Sequence, residues 1–228
     1  MSSVDQTLHQ PVQWAGESLW LLPDKAVFWP ARRLLLIADP HLGKASTFRQ
    51  AGLPVPAGTT AANLARLDAL IERLAPAGIV VLGDLLHARV GRTPRLLERM
   101  TAWRERHAAI AMRLVRGNHD SHAGDPPPTW RVEVVDEPWD IGPFALCHVA
   151  RPLPGRFAIG GHVHPVCRLN GPARDSLRLP CFVADPGVAI LPAFGEFTGG
   201  ALIDAAPGRR RYAIGGGRVW PLAANPGD

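Results

Sequence analysis

The stretch RLLLIADPHLGK, residues 33–44, runs through five apolar residues, Leu34 to Ala38, and then breaks into Asp39-Pro40-His41 and a glycine. A short unbroken apolar run bounded by turn residues reads as a strand buried on both faces, as in a parallel sheet. Two later runs repeat the pattern. Ile79 to Leu82 ends in Gly83-Asp84, and Met112 to Val115 is followed by Gly117-Asn118-His119-Asp120. Helical periodicity fills the gaps between them. Thr60 to Ala75 places Leu64, Leu67, Leu70, Ile71 and Leu74 on one stripe and stops at Pro76-Ala77-Gly78. Thr93-Pro94 supplies a cap and first-turn pair for a second helix, with Leu96, Leu97, Met100, Trp103 and Ile110 at helical spacing. The order β-α-β-α-β predicts an α/β core.

From Val132 onward the helical period disappears. The runs 132–135, 144–147, 157–159, 181–184, 188–191, 201–203 and 212–214 are separated by glycine and proline turns, which predicts a meander of short strands. Two sheets packed face to face with helices outside accommodate both halves. The chain has 228 residues, a length that suits one domain over 1–228. A hydrophobic content of 46%, a charged content of 20% and a mean hydropathy of +0.01 exclude a disordered or fibrous chain. No apolar run approaches the roughly 20 residues of a membrane span, which predicts a protein without membrane association. The opening MSSVDQTLHQPVQW has no basic segment followed by an apolar one and predicts no secretory leader. Cys147, Cys167 and Cys181 follow no metal-binding spacing. They read as reduced core thiols of a cytoplasmic protein.

The chemistry concentrates at strand ends. Asp39 and His41 follow the first strand, Asp84 the second and Asn118 the third; His148 and the pair His162 and His164 follow later runs. In extended chain, residues i and i+2 face the same side, so Asp39 with His41, and His162 with His164, each offer paired donors. Carboxylate, imidazole and amide ligands together suit Mn, Fe, Zn or Co rather than an all-oxygen calcium shell. Seven ligands exceed the needs of one ion. They divide if Asp84 bridges two divalent cations: Asp39, His41, Asp84 and His164 around one, and Asp84, Asn118, His148 and His162 around the other. A water between two such ions loses a proton near neutral pH and attacks in line. His119 is then free to protonate the leaving oxygen, with Asp120 placed to fix its tautomer.

The ordered set D-x-H, G-D, G-N-H-D, a lone histidine and G-H-x-H resembles the calcineurin-like metallophosphoesterases from Leu34 to about Pro192. That resemblance implies a four-layer αββα fold, two metals and hydrolysis of a phosphomonoester or phosphodiester. His87, in Gly83-Asp84-Leu85-Leu86-His87, stands where many members carry an acid. A narrower stretch, DPHLGKASTFRQAGLPVPAGTT at 39–60, resembles the bacterial DNA-ligase-associated metallophosphoesterases. This second likeness implies a manganese-dependent DNA endonuclease linked to a DNA ligase, an Lhr-like helicase and an exonuclease in repair. The same fold also hosts small-molecule phosphatases, cyclic-nucleotide phosphodiesterases and non-catalytic scaffolds; occupation of every ligand position favours turnover.

Charge agrees with a polyanionic substrate. Residues 85–116 hold eight arginines against Glu98 and Glu105, more than the whole of the chain's net +5. Lys44, Arg49, His87, Arg92 and Arg95 are the expected substrate contacts, with Arg89 to Arg99 as a basic face for single-stranded DNA. Arg209 to Arg211 form a second cluster. His9, His107 and His122, and the indoles of Trp103, Trp130 and Trp139, read as packing residues.

Overall fold

The structure, a computed structural model, describes residues 9–55, 58–171, 175–196 and 198–223. Pro56 and Ala57, within the stretch 39–60, and most of the N-terminal segment lie outside the described residues. The first sheet holds β1 (Gln10–Trp14), β2 (Glu17–Leu22), β3 (Ala26–Trp29), β4 (Leu34–Ala38), β5 (Gly78–Leu82), β6 (Ala111–Val115) and β7 (Val132–Val135), in that order. β1 to β4 pair antiparallel and β4 to β7 parallel. The second sheet contains β8 (Trp139–Ile141), β9 (Phe144–Leu146), β10 (Phe157–Gly160), β11 (Pro165–Asn170), β12 (Ser176–Asp185), β13 (Val188–Ile190), β14 (Ala201–Leu202), β15 (Arg210–Gly215) and β16 (Arg218–Leu222). Its order is β14-β11-β12-β13-β10-β9-β8, and the hairpin β15–β16 branches from β12. The helices are α1 (Lys44–Gln50), α2 (Thr59–Leu74), α3 (Pro94–Arg106) and α4 (Asn118–Ala123). These two mixed sheets with flanking helices match the αββα sandwich.

The pleat sorts the central strands into two cores. Leu35 and Ile37 of β4, Ile79 and Val81 of β5, and Met112 and Leu114 of β6 join Leu64, Leu67 and Leu70 of α2 and Leu96, Met100 and Trp103 of α3. The alternate residues Leu36, Ala38, Val80, Leu82 and Val115 face the second sheet, where they meet Phe144, Leu146, Ile159 and Phe182. Burial on both faces explains why these strands read as unbroken apolar runs. On the other side of β12 and β15, Cys167, Cys181, Val183 and Ala213 form a third, small cluster. All three cysteines are free and buried, and burial pushes each thiol above its ordinary pKa.

Parallel pairing puts the C-terminal ends of β4, β5 and β6 at one edge. There the loops lace together: Asp39 N–H donates to Gly83 O at 3.3 Å and His41 N–H to Asp84 O at 2.9 Å. The parallel pair β9 and β10 of the second sheet ends beside them, with Gly161 N–H donating to His148 O at 2.9 Å. Phe194 N–H closes the junction on Ala38 O at 2.7 Å.

Candidate metal centre

Asp39, His41 and His164 form one group of facing donor atoms, and Asp84, His148 and His162 a second; within each, the atoms lie within 4.8 Å of one another. Asp84 stands between them. Its Oδ2 is 3.9 Å from His41 Nε2, and its Oδ1 is 3.6 Å from His148 Nε2. Asn118 Oδ1 joins the second group, 2.8 Å from His148 Nε2. The structure thus gathers all seven ligand-type residues where strand ends of the two sheets meet.

The backbone reaches this arrangement by unusual means. Asp39, His41, Asp84, His162 and His164 adopt φ of 52°, 45°, 52°, 69° and 50°. Left-handed conformations cost a non-glycine residue on the order of 1–3 kcal/mol each and persist where the surroundings enforce them. These residues are therefore not extended, and the i, i+2 rule fails for His162 and His164. The sharp loop after β10 turns one ring to each group. Two glycines make room. A Cβ on Gly83 would collide with the His148 ring, and one on Gly161 with the Asp39 carboxylate.

The donors suit cations. His148 Nδ1 donates to Leu82 O at 3.2 Å, and His164 Nδ1 donates to Thr198 O at 3.1 Å. Each ring is thereby fixed with its Nε2 lone pair aimed inward. His164 Nε2 then meets His41 Nε2 at 3.3 Å, and His148 Nε2 meets His162 Nδ1 at 2.9 Å. Burial lowers the His41 pKa to about 2, so the His41 ring is uncharged at neutral pH. Asp39 Oδ1 is buried without a hydrogen-bond partner. An orphaned buried acceptor costs about 1–3 kcal/mol, and a charged one more. Convergent lone pairs and an unpartnered carboxylate oxygen fit divalent cations. Burial also raises the Asp84 pKa, an effect opposed by His148 and by the His119 N–H that donates to Oδ1 at 2.9 Å.

A family model described as calcineurin-like phosphoesterase matches residues 32–146. The chain belongs to that family. A crystal structure of Pseudomonas putida nuclease MPE is 50% identical, covering 94% of this chain and 100% of that one at TM-score 0.83. YfcE, a phosphoesterase from E. coli, aligns over 84% of this chain and 99% of that one at 15% identity and TM-score 0.39. A search of curated proteins gives no match. For a calcineurin-like phosphoesterase the two clusters imply divalent metals.

Around the phosphoesterase centre the side chains divide differently from the expectation. His119 Nδ1 donates to His87 O at 2.9 Å, and its Nε2 lies 4.0 Å from Asp84 Oδ2. Asp120 does not orient that ring. Its carboxylate accepts from Gly117 N–H at 3.0 Å and Leu86 N–H at 3.2 Å, because it points back as the capping acid of α4. Burial raises its pKa to about 6. His87 stacks on His119 at 5.0 Å between ring centroids and sets its edge toward His41 at 5.3 Å. Burial lowers the His87 pKa to about 4, so a neutral ring stands where an acid was the family's common choice.

Lys44 opens α1 beside the centre. Burial lowers its pKa, against the pull of Asp39 and Asp84. Arg49 stands at the far, exposed end of that helix, with Nη2 donating to Ser46 Oγ at 3.2 Å. The basic face is smaller than its arginine count. Arg92 Nη1 is engaged by Ala123 O and Asp125 O, and Arg104 by the carbonyls of Trp130, His107 and Ile110. Arg113 lies over Trp139, and Arg116 pairs with Asp125 and Asp136. Arg209 is held by both oxygens of Asp185. His107 pairs with Asp68, His122 bonds to Asn118 O, and His9 stacks on Trp20.

A latch behind the centre was invisible in sequence. Asn63 Nδ2 donates to Pro40 O at 3.3 Å, while Arg66 binds Glu196 at 2.8 Å and also the Phe194 carbonyl. Gly195 N–H donates to Asp39 O at 3.1 Å. Arg66 and Glu196 are 130 residues apart, and no local pattern links them.

Proposed function

We propose that this protein is a manganese-dependent phosphodiesterase that cuts single-stranded DNA internally, in DNA repair in the cytoplasm. The observation that carries the reading is Asp84, which turns one carboxylate oxygen to each of two histidine-rich groups. The 50% identity with a nuclease supports nucleic acid as the substrate class. Asp39, His41, Asp84 and His164 would hold one cation, and Asp84, Asn118, His148 and His162 the other. The nitrogen and oxygen donors suit manganese, with iron, zinc or cobalt as substitutes. Bound divalent cations supply Lewis acidity toward the phosphate and bring the pKa of water toward neutrality.

The chain's own groups do the rest. Asn118 and His162 are exposed, leaving an approach for a substrate phosphate from solvent. The Lys44 ammonium counters phosphate charge. His119, oriented through Nδ1–H by the His87 carbonyl, would in its imidazolium form carry a second proton on Nε2, give it to the leaving oxygen and be left as the neutral Nδ1–H ring. Association with a DNA ligase, an Lhr-like helicase and an exonuclease belongs to the same proposal.

Circular single-stranded DNA tests it, because a circle has no ends to digest. The purified chain should linearise the circle with manganese and stop with chelator. Hydrolysis of p-nitrophenyl phosphate or a cyclic nucleotide with an intact circle would overturn the substrate assignment. No hydrolysis of any ester under any metal would overturn the enzyme.

A further inference from the structure

Two cations sit on α1 and face different places. Lys44 begins the helix beside Asp39 and Asp84, whereas Arg49 lines a separate cavity of about 110 Å³ between α1, α2 and α3. At about 1.5 Å per residue the two positions are about 7.5 Å apart along the helix. Ser46, Arg49, Thr59, Thr93, Arg95 and Arg99 wall the cavity, and no acidic side chain is among its described lining residues. Arg95 and Arg99 are four residues apart on α3, so they project from the same face. Like charges so placed repel, and the nearest carboxylate along α3, Glu98, is not in the cavity lining. The hydroxyls also lean toward donation. Ser46 Oγ accepts from Arg49, and Thr93 Oγ1 accepts from Leu96 N–H at 3.3 Å, which leaves each hydroxyl proton to be given away. The volume holds several waters. The guanidinium forks of Arg95 and Arg99 and hydroxyl donors around a small space match the oxygens of one phosphate.

We propose that this cavity is a second phosphate subsite, which grips a non-scissile phosphate of the strand whose cleavage occurs at the metal centre. It rests on the reading of that centre as a phosphodiesterase acting on nucleic acid. Lys44, beside the centre, does not line the cavity, so the gripped phosphate is a different one from the reacting phosphate. The subsite makes a second phosphate a requirement for tight binding.

The test uses the metal-loaded full chain, with a 12-nucleotide single strand and bis-p-nitrophenyl phosphate as substrates over a range of KCl. For R95Q/R99Q, the ratio of kcat/KM on the oligonucleotide to kcat/KM on the small diester should fall about tenfold or more, mostly through KM. The slope of log KM against log salt should drop by about one to two. R95K/R99K should recover most of the salt slope and part of the ratio. An unchanged ratio, or equal loss on both substrates, overturns the subsite while leaving the nuclease reading in place. Thermal shift with inorganic phosphate separates the sources. Stabilisation of the parent over R95Q/R99Q with no change in the ratio makes the cavity a site for free phosphate, and overturns the strand proposal. A parent that cuts no oligonucleotide instead defeats the nuclease reading, and the phosphate shift then reads the cavity alone.

Discussion

Asp39 and His41 are buried and His164 is half-buried; in the companion group Asp84 and His148 are buried just as deeply, but Asn118 and His162 are exposed. Both groups combine imidazole with carboxylate, and both draw on the two sheets. They differ in what encloses them. The covered group is braced from behind by Asn63, Arg66 and the Phe194-Gly195 bend, and holds a buried carboxylate oxygen without a hydrogen-bond partner. The open group is finished by side chains at the lip of the centre. One carboxylate spanning unequal environments would, on the proposed reading, give the protein a more sheltered cation position and one reached from solvent.

The most damaging way to break this arrangement is to remove what the groups share. Asp84→Ala should lower hydrolysis of DNA and of bis-p-nitrophenyl phosphate alike by about a thousandfold or more, because both positions lose a ligand and the pair loses its bridge. Metal content measured on the same preparation should fall as well. Near-parental turnover would show that the two groups act separately.

A smaller effect sharpens the inequality. Chelator added to the metal-loaded chain should strip the two positions at different rates, the open one first. His162→Ala should eliminate the fast phase, whereas His164→Ala should speed the slow one by about 10–100-fold. A single phase in the parent, or loss of the slow phase in His162→Ala, would erase the distinction between sheltered and open.

How much of this was legible in sequence follows from which signals are local. The apolar runs of β4, β5 and β6 and the stripes of α2 and α3 announce themselves, because their partners lie on both faces or along one stripe. The ligand types at the strand ends were legible for the same reason. β1 to β3 were not anticipated, although Val12, Trp14, Leu19 and Leu21 alternate onto the inter-sheet core. The helices α1 and α4, of seven and six residues, are too short for a period to register. Asp120 misled because adjacency in sequence to His119 is not adjacency of side chains in a helix turn, where i and i+1 diverge. Charge alone also did not reveal that the carbonyls of Ala123 and Asp125 engage Nη1 of Arg92.

The faintest expected effect concerns the brace behind the covered group. Burial pushes the Glu196 carboxyl up, but Lys25 at 3.4 Å and Arg66 at 2.8 Å outweigh it and hold its pKa below the ordinary 4.5. A carboxyl whose pKa is depressed on folding binds fewer protons folded than unfolded, so its contribution is present above about pH 4.5 and is lost as pH falls through the folded value. Glu196→Gln removes that contribution without removing the side chain's bulk. Because the group is 39% exposed, the loss falls in the range of a surface pair. In a chain of this length that lowers Tm by about 1–4 °C at pH 7. The gap between parent and variant should close as the pH approaches 3. A gap that persists into acid would mean that Glu196 holds the Asp39-Pro40 loop through packing rather than charge, and would move the brace from the electrostatic side of the comparison to the steric one.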